Sequence, residues 1–343
     1  MSRSRRVSAL AYVAVVAMAI TFPVVAGRSA SVVDGRVLAV QSRTIDTFSR
    51  SGDQTRFGKL EYVGGLVMAT AGDEMGALSS IRFLPDREHF LAVMDTGYWA
   101  KGRIVRGADG RMTAIADFSV SEMIGPSGYR RDRKDFMDAE GLQIVDGKVL
   151  VSFEQNHRID SYPFDKTEAS GPVTSLKPLI PPGLKFRHNG GMEALLAAPA
   201  DSAIGDNLFF VAEKSYNATG DFIAAVMGGP RRGNFYVKRY PPYDVTDGVV
   251  LNDGTFLLLE RCFSLTEGIG ARIRRFRLAD IKGQGETIDG ETIFDADLSE
   301  QIDNMEGIDS FVAEDGTRRI VLISDNNHSL LERNLMLEFK LAE

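Results

Sequence analysis

Carboxylates recur at matched places along this chain. Glu140 precedes Gly141-Leu142, Glu193 precedes Ala194-Leu195, Asp247 precedes Gly248-Val249, and Glu306 precedes Gly307-Ile308. Each of these apolar runs is answered by a second that ends on an acid: Glu154, Glu213, Glu260 and Asp325. A degenerate copy starts at Gly76 and ends on Asp95. Carboxylates gathered at one opening can hold a hard cation such as Ca²⁺, which takes six to eight oxygen ligands in a loose geometry. They can also move protons. The candidate metal ligands are therefore Glu140, Glu193, Asp247, Glu306 and Asp325. Arg158, Lys214 and Arg261 follow the acids of three copies and Arg187 precedes Glu193, so these four are the candidates for binding an anionic substrate. His157 stands three residues after Glu154, His328 three after Asp325 and His188 five before Glu193, whereas His89 falls in a distant turn. With Glu193, His188 and His157 are the candidate catalytic groups. The competing reading is plain: acids beside Gly are common turn formers, and carboxylate–Arg pairs satisfy charge without a metal.

The elements that must position these residues are strands. Residues 138–154 read as a hairpin, with apolar runs on both sides of Asp146-Gly147, a dipeptide suited to a tight turn. If Val145 pairs with Lys148, Ala139 falls opposite Glu154. By the same counting Asp247 falls opposite Glu260 across the turn Asn252-Asp253-Gly254. Leu78, Leu142, Leu195, Val249 and Ile308 stand 64, 53, 54 and 59 residues apart. Five copies at that period predict an all-β fold, a β-propeller of five blades, with six as the alternative. In a propeller the innermost strands line the axis, so Glu140, Glu193, Asp247 and Glu306 should ring one mouth. Three strands fit after residue 307, and a strand within Leu60–Met68 is the expected fourth, paired with Leu335–Leu341. Gly35–Val40 is expected as a further strand.

Of 343 residues 44% are hydrophobic, ample for a core, and the net charge of −7 argues against a nucleic-acid partner. Cys262 is alone, which excludes an intrachain disulfide and a Cys-based zinc site. Arg3, Arg5 and Arg6 precede an uncharged run from Ala9 to Ala26, with small residues at Val24-Val25-Ala26. That pattern predicts a signal peptide over residues 1–26 and a periplasmic or secreted, monomeric product with no stable membrane insertion after cleavage. An N-terminal extension over 27–57 then leads into the propeller at 58–343. There is no Gly-x-Ser-x-Gly elbow, no phosphate-cradling loop and no His-Glu-x-x-His, so a common serine hydrolase and a nucleotide enzyme are both disfavoured.

The stretches Leu60–Leu66, Asp138–Leu142, Asn189–Leu195 and Asn304–Asp309 resemble the phytase-like domain of exported bacterial proteins, the "esterase-like activity of phytase" family. The likeness covers roughly residues 58–341. It implies a β-propeller, export, and hydrolysis of phosphoesters or simple esters at an axial site that can bind Ca²⁺. The signature segments of β-propeller phytases are absent, and Asp325-Asn326-Asn327-His328 is a faint echo of one, so phytate is not the expected substrate. A non-catalytic propeller that binds a small ligand or a protein at the same face is the alternative.

Overall fold

Alternating side chains in the central strands point into different apolar layers, and that alternation builds the architecture. In the computed structural model Phe256 and Leu258 enter one buried cluster while Leu257 and Leu259 enter another. Phe90, Ala92 and Met94 likewise part from Leu91 and Val93. Five buried clusters result, one between each pair of neighbouring blades, so every blade is covered on both faces. At about 1.5–3 kcal/mol per fully buried large apolar side chain, these layers are the main source of stability. The structure describes residues 35, 37–72, 74–128, 134–166, 168–169, 173–176, 185–264 and 268–342. The segment read as a signal peptide lies outside them.

The chain enters through β1 (Gln41–Ile45), a short β2 (Arg56–Phe57) and β3 (Leu60–Ala69). Blade one comprises β4 (Leu78–Phe83), β5 (His89–Met94), β6 (Tyr98–Arg106) and β7 (Met112–Glu122). Blade two comprises β8 (Ala139–Val145), β9 (Lys148–Phe153), β10 (Arg158–Pro163) and β11 (Thr174–Leu176). Blade three comprises β12 (Met192–Ala197), β13 (Leu208–Tyr216), β14 (Phe222–Val226) and β15 (Gly233–Val237). Blade four runs through β16 (Asp244–Val250), β17 (Thr255–Ser264) and β18 (Gly268–Arg277). The chain then adds β19 (Thr287–Ile288) in parallel to the edge of blade three before returning as β20 (Glu291–Ala296). Blade five is β21 (Asn304–Val312), β22 (Arg318–Asp325) and β23 (Asn334–Leu341), completed by β3. The innermost strands β4, β8, β12, β16 and β21 contact one another in a closed ring. The fold is therefore a five-bladed β-propeller.

Closure occurs where the missing fourth strand predicts it: Leu341 pairs with Leu60 and Leu335 with Val67. The extension differs from expectation. Val37 makes only an isolated bridge to Ser119, and the strand falls at Gln41–Ile45, which pairs with Gly65–Ala69 as a further strand of blade five. Phe48, fully buried, then packs its ring 4.7 Å from Phe57 and 5.1 Å from Phe339, so residues before 58 are part of the core.

Candidate functional site: an acidic axial mouth

Each inner strand carries a β-bulge at its start. Pairing skips Ser79 between Leu78 and Ser80, Glu193 between Met192 and Ala194, Thr246 between Val245 and Asp247, and Glu306 between Met305 and Gly307. In blade two, Glu140 and Gly141 are skipped together. A bulged residue is released from the ladder and its side chain is re-aimed. All five re-aimed residues, Ser79, Glu140, Glu193, Thr246 and Glu306, line one cavity of about 370 Å³. Around them stand, on the second strands, the residues one beyond the partner of each pre-bulge residue: Asp95, Glu154, Glu213, Arg261 and Asp325. Lys214, Asn189, Asn327 and Leu78 complete the lining. Gly141 is needed here, because a Cβ would stand 2.4 Å from the Glu193 carbonyl oxygen and 2.6 Å from Ser152 Oγ. That Oγ receives the Gly141 N–H at 2.9 Å and donates to the Met192 carbonyl at 2.6 Å, tying blades two and three together beneath their acids.

The bulges correct the pairing counted from the sequence. Val145 does pair with Lys148, but Ala139 faces Phe153, not Glu154, and Glu260 faces Val245, not Asp247. In a strand a slip of one residue moves a side chain to the other face. Asp247 therefore leaves the mouth. It is fully buried on the axis, bound by Arg82 through Nη1–Oδ2 at 3.0 Å and Nη2–Oδ1 at 3.1 Å, and it accepts the Ile308 N–H at 3.0 Å. With those partners it is a structural ion, not a metal ligand. Glu260 is likewise buried, in an ion pair with Arg274. Thr246 and Arg261 occupy the places expected for these two acids.

Among the described residues, seven carboxylates (Asp95, Glu140, Glu154, Glu193, Glu213, Glu306, Asp325) face two cations (Lys214, Arg261) around the cavity. Arg261 Nη1 lies 2.9 Å from Glu306 Oε1 and its Nη2 lies 3.5 Å from Glu213 Oε1, while Lys214 pairs with Glu213. Asn304 Nδ2 donates to Glu306 Oε1 at 2.6 Å, and Asp325 Oδ1 accepts the Ala77 N–H at 2.5 Å. Burial, then the charges of Asp138, Asp95, Glu154 and Glu306, push the Glu140 carboxyl well above its ordinary range. Burial and the charges of Glu140 and Glu213 do the same to Glu193. Glu154 is pushed to about 7, chiefly by burial and then by Asp138 and Glu213, against the Gly191 N–H and Lys214. Burial also takes Glu306 to about 7, with Arg261 opposing. Burial works against the Arg261 charge, but Glu306, Glu213, Glu193 and Glu140 override it and hold Arg261 above its ordinary range.

Two triads of carboxylates, Asp138–Glu140–Glu154 and Glu154–Glu193–Glu213, each bring three oxygens within 4.8 Å of one another, with Glu154 common to both. These acids could hold a metal ion, and an all-oxygen donor set of carboxylates suits a hard cation.

Other candidates from the sequence lie off the cavity. Arg158 pairs with Asp160 through Nε at 2.8 Å and lies 3.9 Å over the Phe153 ring. Arg187 is exposed, and its backbone N–H donates to Ser215 Oγ at 2.8 Å. The His157 ring packs 5.0 Å from Phe186, and burial holds its pKa below the ordinary value. His188 is exposed, with Nδ1 at 2.9 Å from Asn189 Oδ1. Of the residues read as functional, Glu140, Glu193, Glu306, Asp325, Lys214 and Arg261 share the cavity. Asp138, Ser79, Thr246 and the lining Asn189 and Asn327 are additions. A signal for the bulged positions was present: each immediately precedes Ser80, Gly141, Ala194, Asp247 or Gly307, residues small enough to crowd the axis or, for Asp247, neutralised there.

This is a propeller whose bulged inner strands gather carboxylates at one axial mouth. The chain belongs to the phytase-like family described as "Esterase-like activity of phytase", whose model matches residues 73–328. No curated protein sequence matches it. Among solved structures it is similar to an endo-arabinase from Bacteroides thetaiotaomicron, at 13% identity and a TM-score of 0.47, covering 77% of this chain and 93% of that one. An α-L-arabinofuranosidase from Podospora anserina gives 11% identity and a TM-score of 0.47, covering 82% and 97%. An endo-1,4-β-xylanase from Bacteroides thetaiotaomicron gives 9% identity and a TM-score of 0.43, covering 77% and 90%.

Proposed function

We propose that this protein is an exported hydrolase of phosphoesters or simple esters, acting at the acidic axial mouth with a divalent cation, Ca²⁺ by preference. The observation that carries the reading is the pair of carboxylate triads sharing Glu154, of which Glu140, Glu154, Glu193 and Glu213 line one cavity and Asp138 stands beside it. Asp138, Glu140, Glu154, Glu193 and Glu213 would hold the cation. When bound it would neutralise developing negative charge and lower the pKa of water. Arg261 and Lys214 supply the fixed positive charge that orients an anionic or polarised oxygen. Glu306, near 7 and in neither triad, can accept or donate a proton at neutral pH, which suits general acid–base work. Glu193, a member of the second triad, would act through the cation. Export rests on the Arg3-Arg5-Arg6 and Ala9–Ala26 pattern. That neither His157 nor His188 is among the residues lining the cavity favours one second reading, a propeller that binds a ligand there without turning it over.

Metal analysis of the purified protein, with a panel of phosphomonoesters and simple esters, tests the proposal. A cation present at 100 times its Kd should add about 2.7 kcal/mol to stability, read as a fall in melting temperature on chelation. Glu193→Gln should shrink that fall and reduce turnover at least tenfold while the fold persists. Equal melting temperatures with and without chelator, and unchanged turnover in the variant, would leave only the binding reading.

A further inference from the structure

The three most exposed large apolar side chains of the described residues are Leu330 (104%), Leu331 (90%) and Phe263 (71%). All three follow, along the chain, residues that line the mouth. Phe263 follows Arg261 by two residues, where the β17–β18 hairpin continues past the cavity with Phe263 paired to Ile269. Leu330 and Leu331 lie in the connection from β22 to β23, which leaves Asp325 and passes through Asn327. These are the corresponding connections of neighbouring blades, and Arg261 bridges those blades at the mouth through its contact with Glu306. The Asn326–Arg333 loop is a built structure. Asn326 N–H donates to Asn334 Oδ1 at 3.0 Å, His328 N–H to Asn326 Oδ1 at 3.1 Å, Asn327 Nδ2 to Glu332 Oε2 at 2.8 Å and Leu331 N–H to Ser329 Oγ at 3.2 Å. Exposing two adjacent leucines on a loop tied this way is costly unless they meet an apolar group. The equivalent connection in blade three carries Asn217, Thr219 and Asp221 instead.

The cavity itself does not suit an apolar group, since Leu78 is the one apolar residue in its lining among the described residues. Among the described residues its seven carboxylates against two cations also disfavour a polyanion. We infer that the ligand is an ester with an apolar alkyl or aryl chain: the polar ester head enters the mouth beside Arg261, and the chain lies on Phe263, Leu330 and Leu331. This rests on the hydrolase reading for the head and goes beyond it in assigning the tail. Phosphate monoesters and carboxylic esters share this chemistry.

Two series test the inference. Binding of n-alkyl phosphates from ethyl to octyl, below their micellar concentrations and with excess Ca²⁺, is measured by calorimetry. Turnover of p-nitrophenyl esters from acetate to octanoate is measured alongside. Wild-type affinity and kcat/KM should climb about two- to fourfold per methylene over the first several carbons. In the triple variant Phe263→Ser/Leu330→Ser/Leu331→Ser the climb should vanish while the shortest members behave as in wild type. A series that is flat in wild type, or that climbs equally in the variant, overturns the inference. If the alkyl phosphates climb but nothing is hydrolysed, the apolar wall stands and the hydrolase reading falls. A flat series with concentration-dependent dimerisation that the triple variant abolishes would assign the wall to a second copy of the chain and refute the assignment made here.

Discussion

With any cation removed by chelator, lowering the pH from 8 to 6 should stabilise the protein. Glu154 and Glu306 are each pushed to about 7, burial being the main cause in both. An acid whose pKa is higher in the folded state than in the unfolded chain favours folding through its protonated form. That stabilisation is full below the unfolded value and is lost as pH rises through the folded value. From an ordinary value of 4.5 to a folded value of about 7, each group gains about 1.3 kcal/mol between pH 8 and pH 6, roughly 2.5 kcal/mol together. At about 2 °C per kcal/mol for a domain of this size, the melting temperature should rise by about 5 °C. Acids held below their ordinary values, such as Asp221 and Glu286, lose their contributions only as pH falls past that ordinary range, outside the window. His157 has the opposite sign: held low by burial, it destabilises as pH falls below its ordinary 6.5. The double variant Glu154→Gln/Glu306→Gln therefore serves as the control, and the difference between its slope and that of wild type in a fluorimetric pH scan is the readout. Identical slopes would refute the reasoning. Saturating Ca²⁺ should reverse the wild-type slope, because protons then compete with the cation for the same oxygens.

Other outcomes follow from single contacts. Arg82→Met strands the buried Asp247 carboxylate and should cost about 3–5 kcal/mol in chemical denaturation, with Arg82→Met/Asp247→Leu recovering much of it. A chain begun after Ala69 lacks β3 and leaves β23 with an open edge; it should be recovered as aggregate, whereas solubility with native-like circular dichroism would contradict the closure argument. Arg261→Met should raise the Glu306 pKa further, moving the acid limb of any pH–rate profile to higher pH, and an unmoved profile would exclude Glu306 from the reaction.

Much of the fold was legible because its signals are local and repeated. The hairpin at Asp146-Gly147, the apolar runs after Glu140, Glu193 and Glu306, and the three-strand remainder at the C-terminus all belong to single blades, and five agree. The site was legible to one residue. Asp247 and Glu260 look like their counterparts by type and by pairing count, but a bulge adds a residue that a count across a hairpin cannot register. Arg158 was misplaced for a related reason: it follows the acid Glu154 as Arg261 follows Glu260, yet it sits on β10, on the far side of the turn, stacked on Phe153. β19 and the burial of Phe48 were illegible because two paired residues and one lone aromatic carry no periodicity.

The five bulges have a consequence for how such a mouth can change. Ser79, Glu140, Glu193, Thr246 and Glu306 stand outside the register of their ladders, and their side chains belong to none of the five apolar layers between blades. Each is a socket whose occupant can be exchanged without renegotiating the frame. Blade four shows one such exchange, with threonine in the socket and arginine beside it where blades two and three hold glutamates in both places. A propeller of this kind can therefore pass from gripping cations to gripping anions by a few substitutions at the axis, one blade at a time.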